Sequence, residues 1–526
     1  MIEDEQSDYV VVGAGSAGCV LASRLSEDPR CRVMVLEAGF APSHPLADAP
    51  GASVMLEDTA MDWAFRSEPQ PFLNNRRILL SRGKALGGSS AINYCLYVRG
   101  NRGDYDHWAQ LGNRGWSYDD VLPCFRRAEA NATHDDEWHG RDGPLSVEEL
   151  RGRHPIHEMY LEAVESLGVP RNPDFNGAVQ EGCGYYQGTL RDGRRCSTAT
   201  AYLDPAMARP NLTVQTGACV TGLAMAGTRV LGVDYALGRE ARRTLASSAT
   251  ILSAGAIGSP HVLLLSGIGP ADEIAAAGIE PLVDLSGVGR HLLDHIDRVP
   301  VVLTVEDPER WGLGLPSPEA ALEQFETSRT GPLSTMQIDA GAFVRMRPSD
   351  ADPSAQHYVS LTIGERHRHG IGPAVVLSGY VCRSQSQGTV KLASASPFDR
   401  PLIDPRYFSD PDDLERFIEI MEWSRELAHA PAFAPLGGGL MQPLDTRDRI
   451  IAAIKAQAST TWHQTSTCRM GIDDRAVVTP DLKVRGVEGL FVCDASVMPS
   501  MVSGNTNAAT IMIGEKGADL IRGAAH

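Results

Sequence analysis

Asp8-Tyr-Val-Val-Val-Gly-Ala-Gly-Ser-Ala-Gly-Cys-Val-Leu-Ala22, followed shortly by Arg32-Val-Met-Val-Leu-Glu37, decides the fold. A short β-branched run ends at Gly13, and Gly13, Gly15 and Gly18 follow in GxGxxG spacing. Cys19, Val20, Leu21, Ala22 and Leu25 then form an apolar stripe at helical spacing, and a second buried strand ends in Glu37. Strand, glycine loop, helix, strand and acid occupy about thirty residues, the length of one βαβ unit that binds a dinucleotide. Gly13 allows the tight turn, Gly15 lets the backbone approach a pyrophosphate, and Gly18 lets the helix pack close to the strand. Ser16 and Ala17 open the helix, whose free N–H groups and positive dipole end suit phosphate. Glu37 can accept from both ribose hydroxyls, and its charge repels a 2′-phosphate. The motif alone does not separate NAD from FAD.

Working outward, residues 82–99 form a second glycine-serine loop leading into an apolar segment. Gly87, Gly88, Ser89 and Ser90 offer a backbone-rich surface for a flat ring or a phosphate, although taken alone the loop reads as a turn. The stretch 145–196 is polar and turn-rich. Residues 250–257 read as a buried strand, with Ser259 as the N-cap of a following helix and Pro260 in its first turn. From 298 to 435 the character changes. Segments such as 389–393 suggest antiparallel strands with one solvated face, 339–344 is a shorter strand candidate, and Asp410 with Pro411 starts an amphipathic helix. Parallel-sheet character returns at 489–493, a strand with Asp494 at its carboxyl end, and a turn at 504–507 leads into a closing helix. The expected fold class is α/β: a Rossmann-type nucleotide-binding domain over 1–150, 197–297 and 455–526, with an inserted α+β substrate domain, antiparallel sheet plus helices, over 151–196 and 298–454.

At 526 residues the chain exceeds one ordinary core, and 43% hydrophobic with 22% charged residues is the composition of a globular enzyme. A net charge of -18 argues against nucleic acid, since phosphate contacts need a basic surface. Ten cysteines are scattered singly, which suits free thiols in a reducing compartment. The acidic start lacks the basic and apolar regions of a signal peptide, and no run of about eighteen apolar residues occurs, so a cytoplasmic protein without a membrane span is expected.

The stretch Trp462-His463-Gln-Thr-Ser-Thr-Cys-Arg-Met470 holds the candidate base. An isolated histidine beside an aromatic reads as a satisfied core residue. Its place just upstream of the strand ending in Asp494, in a chain that binds a dinucleotide, favours catalysis instead. At the start of the last helix Asn505 suits a cap, and Asn507 suits a donor to a substrate oxygen. The pair His291 and His295, spaced i,i+4, invites a metal reading but lacks a third ligand nearby, so it is read as structural and no metal is expected. The Arg/His-rich loop 365–370 reads as a solvated face or a substrate gate.

Together these residues resemble the glucose-methanol-choline (GMC) family of FAD-dependent oxidoreductases across essentially the whole chain. The matching pieces are GxGxxG with Glu37, residues 82–93 and 97–105, 255–260 through 266–270, 287–295, and His463 with 494–516. Among subgroups the chain looks like the bacterial choline-dehydrogenase-like branch, which also holds aryl-alcohol, hydroxymethylfurfural and pyridoxine oxidases. The resemblance implies an alcohol oxidase or dehydrogenase: His463 takes the hydroxyl proton, Asn507 bonds the alkoxide, and hydride passes to flavin N5. It implies FAD contacts at Arg82, Gly87, Gly88, Ser90, Asn93, Tyr94, Val220, Ala254, Trp462, Asp494, Ala495 and Asn505. Reoxidation would use O₂ or a quinone-like acceptor. Between Gly87 and Tyr97 there is no histidine to link the flavin, so non-covalent FAD is expected. Gln464 and Ser466 replace the usual Pro and Gly beside the base. Rival readings are a hydroxynitrile-lyase-like non-redox flavoprotein, an FAD-bound binding protein without turnover, and an NAD-dependent dehydrogenase that leaves the later motifs unexplained.

Overall fold

The computed structural model describes residues 5–297, 299–314, 316–336, 338–362 and 372–524. The Arg/His loop 365–370 lies outside them. The glycine motif forms as its residues dictate: strand Glu5–Val12, helix Ser16–Leu25 and strand Val33–Glu37. Every residue of Val33–Glu37 is buried, as expected of a strand covered on both faces. Strand Glu5–Val12 pairs in parallel with Val33–Glu37 and with Glu240–Leu252. Leu212–Thr216 adds in parallel on one side, and Leu490–Val492 pairs in parallel with the end of Glu240–Leu252. The antiparallel strands Arg229–Leu237 and Ala218–Ala226 complete the sheet.

The closing helix, Thr506–Ala524, docks on helix Ser16–Leu25. A Cβ at Gly514 would stand 3.1 Å from the Ala17 backbone, so glycine permits the approach. Fully buried Glu515 accepts from Arg24, Arg127 and Tyr202, which locks the two helices in register. The chain's last motif is thereby carried against its first.

A second sheet is antiparallel and five-stranded, in the order Val301–Thr304, Ala374–Val381, Ala355–Thr362, Ala340–Val344, Gly182–Tyr185. Helix Pro411–Ala428, capped by the Asp410 side chain, packs on Ala374–Val381, the second strand in that order. Here the structure departs in part from expectation. The strand expected within 389–393 forms as Thr389–Lys391, antiparallel to Leu402–Asp404 and with Lys391 part-exposed, whereas Ala374–Val381 is buried at every residue, the helix covering one of its sides. The region read as turns contains helix Pro155–Ser166, with His154 as its N-cap, and strand Gly182–Tyr185 joins the second sheet. Strand 250–257 is also longer and earlier: it runs Glu240–Leu252, and the next helix begins at Gly255. Ser259 is therefore not an N-cap and Pro260 sits inside the helix; the Ser259 hydroxyl instead bonds Asp494 at 2.6 Å.

Candidate active site

A cavity of about 1210 Å³ brings together residues from distant parts of the chain. Its wall includes Gly13, Gly15, Ser16, Ala17 and Glu37 from the first motif and Arg82, Gly88, Asn93 and Tyr94 from the second. Val220, Ala254, Trp462, His463, Asp494, Ala495, Asn505 and Asn507 complete it. Of the residues expected at the site, Gly18, Gly87 and Ser90 do not line the cavity. A side chain at Gly18 would run into the Gly13 carbonyl, so this glycine serves helix–strand packing, as its position in the motif requires. The Ser90 hydroxyl turns away, bonding the Gly87 carbonyl and Thr198, and Ser89 takes its place on the wall.

The cavity suits a dinucleotide on three counts. Helix Ser16–Leu25 starts at Gly15 with no side-chain cap and no acid in its first turn, so its N-terminal N–H groups remain available to phosphate. Gly88 has φ +52° and a Cβ there would stand 2.6 Å from Gly15 Cα, so the two glycine loops touch backbone to backbone. Glu37 is buried, and its carboxylate accepts from the N–H groups of Ala14 (2.9 Å) and Gly39 (2.8 Å). Burial pushes the Glu37 carboxyl up, and those two N–H groups oppose the shift. Asp494 is held similarly, accepting from Gly255 N, Ser259 and Ser496 N.

His463 lies just beyond the short strand Ser459–Thr460. Its backbone N–H donates to Asp294 at 2.9 Å, and the same carboxylate accepts from Tyr407, Thr460 and Gln464, each at 2.6 Å. This buried hub fixes the backbone that carries the imidazole. Nδ1 of His463 lies 2.9 Å from Nδ1 of His295 and 2.9 Å from the Thr461 hydroxyl. Nε2 faces Asn505 Nδ2 at 3.3 Å. Burial, then the neighbouring His295 and Arg82, hold the imidazole well below its ordinary pKa, so it is neutral near pH 7. The Arg82 guanidinium donates to the Trp462 carbonyl, and Trp462 stacks on Tyr94 with ring centroids 5.6 Å apart.

Several expectations change. Asn505 does not spend its side chain on the helix: its amide reaches His463, and its oxygen accepts from Gln356 at 3.3 Å. Asn507, expected beside the substrate oxygen, accepts instead from Ser16 at 2.7 Å and so joins the first glycine loop. The helix begins at Thr506, which leaves Asn505 on the preceding turn and points Asn507 one step round toward helix Ser16–Leu25. Residues 291–295 are not helical and His291 has φ +55°, so the i,i+4 spacing carries no helical-face meaning. His295 belongs to the site, a role its spacing could not reveal. Gln464 bonds Asp294 and Thr460, and Ser466 adopts φ +73°, the left-handed region that favours glycine.

Comparison with known proteins gives a consistent answer. Residues 7–297 and 384–514 match the two parts of the family described as GMC oxidoreductase. Mitochondrial choline dehydrogenase of Homo sapiens is 40% identical, over 99% of this chain and 90% of its own. Alcohol dehydrogenase [acceptor] of Pseudomonas putida is 38% identical, over 98% of this chain and 95% of its own. Among solved structures, pyridoxine 4-oxidase from "Mesorbium loti" superposes with a TM-score of 0.89 at 32% identity, over 98% of both chains. Among the described residues no helix is long and apolar enough to cross a membrane.

Proposed function

The chain belongs to the GMC oxidoreductase family, FAD-dependent enzymes that oxidise CH–OH donors, and from that premise we propose that it oxidises an alcohol to an aldehyde or ketone with His463 as the base. The observation that carries this reading is the convergence of His463 Nε2 and Asn505 Nδ2, 3.3 Å apart on the wall of the cavity that the two glycine loops line. One group accepts and the other donates, which is what an alcohol oxygen losing its proton requires. His463, kept neutral by burial, takes the hydroxyl proton, and the Asn505 amide bonds the oxygen as negative charge develops. FAD, when held by the two glycine loops, would supply the redox chemistry as the hydride acceptor. Tyr94, Trp462, Tyr358 and Tyr380 give the cavity wall its aromatic character.

The ranges 1–150, 197–297 and 455–526 are assigned to holding FAD, and 151–196 with 298–454 to holding substrate. The flavin is assigned as non-covalent, since no histidine lies between Gly87 and Tyr97. Asn507 and Ser16, bonded to each other at the first glycine loop, are assigned to holding the cofactor, and O₂ or a quinone-like molecule is assigned as the acceptor. Anaerobic addition of a panel of primary, aryl and polyol alcohols should bleach the yellow holoenzyme with at least one member. No bleaching by any of them would leave a flavoprotein without alcohol oxidation.

Glu37 gives a narrower prediction. Glu37→Gln keeps one acceptor but turns an NH₂ toward a backbone N–H, so one loop donor loses its partner. FAD affinity should fall about tenfold, from roughly 1.4 kcal/mol lost with that bond. Titration of apoprotein by flavin fluorescence quenching measures it, and unchanged affinity would remove Glu37 from the cofactor site.

A further inference from the structure

We propose that His295 is a positioning residue that keeps the proton of His463 on Nδ1 and leaves Nε2 bare toward the alcohol; the inference rests on His463 being the base. The two histidines are brought together by a short ribbon, Ile296–Asp297 paired antiparallel with Ser459–Thr460, just outside which each residue lies. His295 is fully buried and its ring stacks on Tyr380 with centroids 4.5 Å apart.

Hydrogen-bond accounting leaves one arrangement. His295 Nε2 lies 2.8 Å from the Cys382 carbonyl oxygen, which can only accept, so Nε2 carries the hydrogen. A neutral imidazole has a single N–H, so His295 Nδ1 is an acceptor. The nitrogen facing it at 2.9 Å, His463 Nδ1, must therefore be the donor. Thr461 is compatible with that arrangement. Its hydroxyl donates to the His295 backbone oxygen at 3.2 Å, which leaves a lone pair for the same His463 N–H at 2.9 Å. With Nδ1 protonated, His463 Nε2 is bare, and Asn505 Nδ2 is the donor placed against it.

The opposite tautomer of His463 would need His295 to carry two protons. Burial pushes the His295 imidazole down to about 4, so that state is disfavoured near neutrality. The same aromatic ring also reaches the second catalytic group: the Tyr380 hydroxyl bonds Gln356, whose amide donates to Asn505 at 3.3 Å. His295 and its stacking partner thus orient both the base and the oxyanion donor. On alcohol oxidation the hydroxyl proton moves to His463 Nε2, the Nδ1–H stays shared with His295, and His295 neither gains nor loses a proton overall.

The test uses ¹⁵N-histidine-labelled holoenzyme, with His463→Ala to assign the His463 signals. Wild type should show His463 as the neutral Nδ1–H tautomer. His295→Asn, whose side-chain oxygen can replace the lost acceptor, should keep that tautomer and flavin reduction within about tenfold of wild type. His295→Leu should shift population to the Nε2–H tautomer and slow flavin reduction by about 10–100-fold with little change in substrate affinity. That loss is smaller than the ~10⁴ seen where a sole orienting partner is removed, because Thr461 remains. An Nε2–H tautomer in wild type would overturn the proposal even if His295→Leu fails to fold. So would a His295→Leu enzyme with wild-type tautomer and rate while His463→Ala is inactive. Full flavin reduction in His463→Ala would instead overturn the base assignment.

Discussion

His463→Ala should retain bound FAD yet reduce it with an alcohol about 10²–10⁴-fold more slowly than wild type, the range a positioned general base contributes. Flavin retention is expected because Asp294 holds the residue through its backbone N–H, not its side chain, and the hub of Tyr407, Thr460 and Gln464 stays intact. The loss should appear in the rate of reduction more than in substrate affinity, since the proton moves only on the way to the transition state. Anaerobic stopped-flow reduction measures both. A rate within a few-fold of wild type would assign the proton to another group.

Gly88→Ala should weaken FAD binding strongly. Alanine at φ +52° costs about 1–2 kcal/mol against the left-handed backbone. Its Cβ would also stand 2.6 Å from Gly15 Cα, backbone that cannot turn aside as a flexible side chain would. The loops must separate, and together these effects predict an affinity loss on the order of 100-fold. The purified variant should be colourless or take up FAD only at high concentration, read from the flavin absorbance per protein. A yellow protein with wild-type stoichiometry would show that the contact between the two loops does not shape the cofactor site.

The nucleotide half was legible because its signal is local. Gly13, Gly15, Gly18 and Glu37 lie within one βαβ unit, and each position has a steric or electrostatic requirement that a sequence displays directly. The cavity's other end was less legible because its geometry is set by chain segments far apart. Whether Asn505 or Asn507 meets the base depends on a helix start at Thr506, and one residue of uncertainty there rotates the wrong amide into the site. His295 was hidden for a related reason: its spacing from His291 suggests a helix face, whereas the chain there is extended and turned. Ser90 fits a loop that faces a cofactor, yet only the fold shows it bonded inward to Thr198. Helix Pro155–Ser166 lies among prolines and charges whose polarity masks its pattern, although Pro155 at its first position is a start signal.

The most direct measurement is anaerobic stopped-flow reduction of the holoenzyme's flavin by a substrate alcohol, compared with the same alcohol carrying deuterium on the α-carbon. Bleaching that is complete with one equivalent of alcohol, slowed several-fold by the α-deuterium and nearly lost in His463→Ala, is the result predicted by alcohol oxidation with His463 as base. A flavin that stays oxidised with every alcohol, or a reduction indifferent to both the deuterium and the histidine, would contradict it.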